Sequence, residues 1–376
     1  MMTRWVHFDR LAALVLLGLV GNACAYVRMV IHNAPSLAAP TYFDSREVLP
    51  SATPMPLQRA EREATFELGS SLRKKYGSFD AWLEANHTRA FVVVHNDVII
   101  YERYFGEVSS TTLLPSFSMS KTYAAVLIGC ALRDGLIASV DQPVTDYIPE
   151  PAAKPRYDQV TLDQLLRMTS GIDFDEETSA GGVFYYCTDL RNRMYAYDVK
   201  WIPGQHYLYG SVNVQLLWDV LHRRLSGSTV AAYFEKSIWD PIGAEHAASW
   251  SLDSKSSGVE KLSAGFNATA RDHARLGLLF LHQGTLQGRA VVPKQWIEES
   301  LVADPIAGVV RTADGVVRRT RRQWFLTLDG RSYFAKGYHG QYIFVAPDKN
   351  VVFVRFGDGY GSVDWTSLFD RLARSL

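Results

Sequence analysis

Two apolar runs, residues 90–94 and 98–105, flank the polar triplet His95-Asn96-Asp97. That pattern predicts a β-hairpin with Asn96-Asp97 at its turn. A different pattern follows. Residues 119–132 are almost wholly apolar, yet the run opens with Ser118, Ser120 and Lys121 and closes on Arg133-Asp134-Gly135. An apolar stretch of that length with glycine at the C-cap position predicts a buried helix. Its first turn carries Ser118 and Lys121 on one face, because three residues make about one turn.

The middle of the chain reads as helices and loops. Thr161/Gln164 and Thr269/Asp272 have capping-box spacing. The first opens a helix expected to end at Gly171, the second an apolar helix through Leu281. Residues 212–225 and 229–239 also read as helical, as do 59–76 and 78–84 nearer the start. Strand patterning returns at 323–328, 342–346 and 351–356, and 363–373 reads as a final amphipathic helix. Strands at both ends with helices between imply one sheet built from distant halves of the chain. The expected class is α+β: an antiparallel sheet flanked by N- and C-terminal helices, with a mainly helical region inserted at about 135–250.

The N-terminus has its own character. Arg4 and Arg10 precede an unbroken apolar block at 11–20, and Ala23-Cys24-Ala25 fits a signal-peptidase site. Residues 1–25 are expected to be a signal peptide cleaved before Tyr26. The alternative is an uncleaved membrane anchor running to Val27. Either places the protein outside the cytoplasm, periplasmic or anchored facing the periplasm; the remaining alternative is a cytoplasmic protein with a buried N-terminal helix. Residues 26–57, rich in Pro, Ala and Ser from His32 onward, read as an extended linker or arm, and 58–376 as the main domain.

Composition narrows the function. The chain has 376 residues, 47% hydrophobic and 21% charged, with formal net charge zero. That gives no electrostatic argument for nucleic acid and suits an ordinary enzyme with a large core. Three cysteines, Cys24, Cys130 and Cys187, make no disulfide framework, and no His or Cys spacing suggests a metal. No cofactor is expected.

The candidate chemistry starts at Ser118. A serine hydroxyl needs a neighbouring base to become a nucleophile, and a lysine drawn toward burial can serve. The helix N-terminus adds N–H groups where an oxyanion would form. Read alone, Ser118 serves equally as a helix cap and Lys121 as a surface residue. Further along, Tyr209-x-Ser211 at a helix start can bring a phenol and a small polar group to one cleft. Beside a lysine that phenol can act as a general base. It can also simply pack.

Taken in order, Ser118-x-x-Lys121, Pro203-Gly204, Tyr209-x-Ser211 and Gly337-Tyr338-His339-Gly340 resemble the serine β-lactamase/penicillin-binding superfamily. More narrowly, they resemble its class C β-lactamase branch. The stretches 165–171, 240–245 and 268–277 fit the same pattern. The last two, with 337–341, are most similar to the 6-aminohexanoate-dimer hydrolase group. The resemblance runs from about Ala90 to the C-terminus.

It implies that Ser118 is acylated, with Lys121 and Tyr209 as its proton partners, on a small-molecule amide or ester. Ser211 stands where many relatives have Asn. The family's Lys-Thr-Gly triad is absent, with His339-Gly340 as one substitute and Ala335 opposite the cleft in another alignment. Without that lysine, tight recognition of a β-lactam carboxylate is not expected. The resemblance also puts Tyr185 and Tyr186 in a loop bordering the cleft, with Tyr186 a candidate substrate contact. The oxyanion donors are expected to be the Ser118 N–H and a backbone N–H between 335 and 340. The alternative is a non-catalytic, penicillin-binding-like sensor or scaffold.

Overall fold

The computed structural model describes residues 23–312 and 315–376. The apolar leader expected at 11–20 lies outside these residues. Among the described residues no helix is long and apolar enough to cross a membrane.

Among the described residues, eight antiparallel strands form the main sheet. Its spatial order is Val98–Tyr104, Thr88–His95, Val351–Gly357, Gln341–Ala346, Tyr333–Gly337, Phe325–Leu326, Gly315–Arg319 and Val309–Thr312. The distant halves join where Thr88–His95 pairs with Val351–Gly357, Val93 opposite Phe353. The hairpin turns at Asn96 and Asp97, both at positive φ (50° and 63°), which short polar side chains tolerate and which matches the strand twist.

Side-chain alternation gives the sheet two dressed faces. Phe91, Val93, Phe344 and Phe353 pack with Phe79, Trp82, Trp365 and Phe369, from the helices Phe79–Ala85 and Trp365–Arg374. Val92, Val94, Ile343, Val352 and Val354 face the larger core, which includes the helices Ser120–Arg133, Ser211–Arg224 and Ala270–Leu281. Gly277 allows one close approach, since a Cβ there would lie 2.5 Å from Val352 Cγ1. A second sheet runs in the order Ser45–Val48, Ala248–Ser251, Phe266–Ala268 and Leu114–Pro115.

Several sequence expectations change. The helix expected over 59–76 is confined to Ser70–Tyr76. Ahead of it the backbone runs beside the outer hairpin strand, with Ala60 N and Ala64 N donating to Ile99 O and Ile100 O at 2.9 and 2.7 Å. Covering a sheet edge outweighs local helix propensity there. The 161–171 helix stops at Arg167, where Met168 turns left-handed (φ 57°). Of the two readings of residues 26–57, the structure shows the arm, packed on the rest of the chain. Helix Ala23–His32 is followed by a 3₁₀ turn at Ala39–Thr41 and the strand Ser45–Val48. Ala25, part of the expected cleavage motif, is buried in a cluster with Phe43, Val183 and Tyr186.

Candidate active site

The chain reaches Ser118 through a tightly held bend. Leu114–Pro115 pairs with Phe266–Ala268, and Ser116 N donates to Phe266 O at 2.9 Å. Phe117 then adopts φ +47°, a left-handed conformation that costs a bulky residue on the order of 1–3 kcal/mol. A 3₁₀ turn, Phe117–Met119, leads into the helix Ser120–Arg133. That helix is buried from Ser120 to Ala131, and Gly129 lets the Trp296 indole close to 2.6 Å of where a Cβ would sit.

Three hydroxyls lie here, and their surroundings differ. Ser116 Oγ and Ser120 Oγ are 2.8 Å apart and buried, and Ser120 Oγ accepts from Phe266 N at 3.0 Å. Ser118 remains half-buried. Lys121, only 2% exposed, directs Nζ to Ser118 Oγ at 3.1 Å and to Ser263 O at 3.0 Å.

Tyr209 arrives from the other motif, and the two stretches 168–171 and 200–209 grip each other. Leu208 N donates to Met168 O at 3.0 Å, Gly204 N to Thr169 O at 2.7 Å and Lys200 N to Gly171 O at 2.8 Å. Gly171 is required at that crossing: its φ is +75°, and a Cβ would lie 2.3 Å from Trp201 O. The Tyr209 ring centroid stands 5.0 Å from Lys121 Nζ. Arg319, which the sequence reading did not single out, lies over the same ring at 4.6 Å, over Phe325 at 4.4 Å and over Tyr207 at 5.3 Å. Among the described residues its buried Nε has no hydrogen-bond partner. Nothing in the sequence of the run Arg318-Arg319-Thr320-Arg321-Arg322 singles it out from the other arginines.

The other expected contacts are engaged by the protein itself. Ser211 N and Oγ both donate to the Glu176 carboxylate, at 2.6 and 2.7 Å. Tyr186 is fully buried, and its hydroxyl donates to Asn33 O at 3.1 Å. His339 Nε2 meets Pro35 O at 2.8 Å. Gly340 O accepts from Arg355 Nη1 at 2.6 Å, and the same guanidinium reaches Asn86 O and Gly359 O, which fixes the 337–340 turn.

The strand register separates the two alignments considered for the missing triad. A Cβ on Gly337 would lie 2.2 Å from Ser116 O, so this glycine abuts the serine bend. By alternation Ala335 shares its face, while Lys336 points the other way, toward the Tyr342 and Tyr360 rings. No lysine therefore occupies the serine side of this strand at Ala335 or Gly337.

Behind the site lies a cavity of about 20 Å³, room for roughly one water, lined by Glu176, Tyr185, Ser211, Lys261 and Ser263. Lys261 donates to Tyr185 O at 2.7 Å and Cys187 O at 3.3 Å, and its Nζ lies 4.6 Å from the Phe43 ring. Burial pulls its pKa from 10.5 down to about 7. Between those values the unfolded chain holds a proton that the folded protein has released, so stability rises with pH. From pH 7 to 9 the gain should be about 2 kcal/mol. Lys261→Met should flatten that rise, whatever it does to absolute stability. Chemical denaturation of both proteins across this range checks it, and parallel slopes would refute the assignment.

A family model described as Beta-lactamase matches residues 83–373. A 6-aminohexanoate-dimer hydrolase from Paenarthrobacter ureafaciens is 26% identical over 302 residues, 73% of each chain. Among solved structures, a Bacillus anthracis protein assigned as a 6-aminohexanoate-dimer hydrolase superposes with TM-score 0.74 at 21% identity, over 93% of both chains. A family VIII carboxylesterase superposes with TM-score 0.62 at 19% identity, over 81% of this chain and 95% of its own.

Proposed function

Since the chain belongs to the beta-lactamase family, we propose that it is a serine hydrolase that cleaves a small amide or ester through an acyl-enzyme on Ser118. One observation carries the reading: Lys121 Nζ lies 3.1 Å from Ser118 Oγ and 5.0 Å from the Tyr209 ring centroid. A hydroxyl and a phenol ring thus both stand beside one buried amine. The relatives named as a 6-aminohexanoate-dimer hydrolase and a carboxylesterase support that substrate range.

In this mechanism Ser118 Oγ attacks the substrate carbonyl while its proton passes to Tyr209, with Lys121 holding the oxygen in line. The carbonyl π electrons move onto oxygen. The resulting oxyanion is held by the Ser118 N–H and one backbone N–H of the 337–340 turn. Collapse breaks the bond to the leaving group, which leaves as alcohol or amine with the proton from Tyr209. Water then attacks the acyl-enzyme by the same route in reverse, giving the acid and restoring Ser118. Ala335 and Gly337 offer no cation to a substrate carboxylate on that strand, which favours neutral esters and linear amides over β-lactams.

The test pairs covalent labelling by a serine-reactive fluorophosphonate with turnover of p-nitrophenyl acetate. The reading expects both. Labelling without turnover would point instead to a penicillin-binding-like sensor, and neither would remove the serine mechanism.

A further inference from the structure

The strand Gly315–Arg319 ends on a buried positive charge. Arg319 is 8% exposed, and its backbone is pinned on both sides. Its N–H donates to Gly308 O at 3.0 Å, and its carbonyl accepts from Asp304 N at 2.7 Å. The side chain is treated differently. Among the described residues Nε has no hydrogen-bond partner, and no carboxylate forms an ion pair with the guanidinium. Asp304 itself is taken by Arg167 at 2.5 Å and by the N–H groups of Ile306 and Ala307.

Aromatic rings surround the guanidinium instead. Phe325, its partner across the ladder, lies 4.4 Å from Cζ, Tyr209 4.6 Å and Tyr207 5.3 Å, each to the ring centroid. Arg319 also shares a hydrogen bond with the Tyr207 side chain. Burial pushes the Tyr207 phenol up to about 12 against the pull of Arg319, so Tyr207 keeps its proton near neutral pH. Ring faces attract a cation without neutralising it. A buried charge left in that state is costly, and the cost falls when negative charge develops nearby.

Tyr209 is the one of these three rings whose oxygen the reaction charges. In the proton path given above, Oη takes the Ser118 proton and later gives it to the leaving group. The oxygen is therefore negative before the first transfer and after the second. Fixed positive charge beside it favours both ends of that path. Lys121 stands 5.0 Å from the ring centroid, but its Nζ already donates to Ser118 Oγ and Ser263 O. The strand Tyr333–Gly337 presents no lysine at Ala335 or Gly337. Arg319 brings a cation from two strands away, in the register Arg319–Phe325–Phe334.

We propose that Arg319 is the positioning residue of Tyr209: it holds the phenol ring beside Lys121 and supplies the second positive charge for proton transfer. The inference rests on the hydrolase reading above and adds a residue to its machinery. Arg319 acts through Tyr209 rather than on the substrate.

The test measures kcat and KM for p-nitrophenyl acetate in the wild type, Arg319→Met, Arg319→Lys, Tyr209→Phe and the double variant Arg319→Met/Tyr209→Phe. Arg319→Met keeps an unbranched side chain and removes the charge. It should lower kcat by about 10²-fold with KM within about threefold of wild type. Arg319→Lys keeps the charge without the planar guanidinium and should recover kcat to within about 10-fold of wild type. In the Tyr209→Phe background Arg319→Met should change kcat by less than about threefold, because the group it serves is gone.

A kcat for Arg319→Met within about threefold of wild type overturns the inference. So does a full loss that persists in the Tyr209→Phe background, or one that appears in KM alone, which would place Arg319 on the substrate. If Arg319→Met does not fold, Arg319→Gln is judged by the same cycle, and failure of both to fold makes Arg319 a structural residue and overturns the proposal. Near-normal turnover in Tyr209→Phe overturns the role of Tyr209 and this inference with it. A wild type that does not turn over the ester overturns the hydrolase reading itself.

Discussion

Ser118→Ala is expected to lose ester turnover by on the order of 10³-fold or more while remaining folded. The nucleophile's absence removes the acyl-enzyme route itself, so the loss should appear in kcat. Folding should survive because the bend is built from other bonds: Ser116 N to Phe266 O, Ser120 Oγ to Phe266 N and Lys121 Nζ to Ser263 O. The substitution takes away the hydrogen bond between Lys121 and Ser118, worth about 1 kcal/mol. The two neighbouring hydroxyls are poor replacements, since Ser116 and Ser120 are buried and bonded to each other. Steady-state hydrolysis beside a melting curve checks this, and turnover within about threefold of wild type would contradict the role given to Ser118.

Tyr209→Phe should separate chemistry from packing. It removes one oxygen and leaves the ring that stands against Lys121 and Arg319. Stability should therefore change by no more than about 1–2 kcal/mol. If the phenol carries the serine proton to the leaving group, turnover should fall by about 10²–10⁴-fold. A tyrosine that only fills space predicts the opposite pattern, a lowered melting temperature with near-normal turnover. Both quantities come from one sample of the variant.

What the sequence made legible was mostly local. The hairpin could be read because two apolar runs and Asn96-Asp97 carry all the information within sixteen residues. The juxtaposition of Ser118 and Lys121 is likewise an i, i+3 relation. Tyr209 sits ninety residues on, and only the resemblance of the ordered motifs suggested its company. The strands Gly315–Arg319 and Tyr333–Gly337 went unread. Arg318-Arg319 looks like solvated surface, and a mixed run such as Phe334-Ala335-Lys336-Gly337 has no clear period. Arg319 is buried because Tyr207, Tyr209 and Phe325 surround it, and those partners come from other elements.

The same limit explains the roles expected of Ser211, Tyr186 and His339. Each is a polar residue near the site, and each has a partner far away in sequence: Glu176, Asn33 and Pro35. Composition left 26–57 open between a linker and an arm because Pro, Ala and Ser carry little local order. The arm's structure comes instead mostly from contacts with elements far along the chain, including the bonds of Tyr186 and His339 to Asn33 and Pro35.

The central claim, an acyl-enzyme on Ser118, is tested most directly by mapping a covalent adduct. The wild-type protein would be treated with a fluorophosphonate, digested and sequenced by mass spectrometry. The account predicts a single phosphonylated serine, Ser118, with Ser116 and Ser120 unmodified in the same peptide. An adduct on any other residue, or an unmodified Ser118 in protein that still hydrolyses p-nitrophenyl acetate, would contradict it.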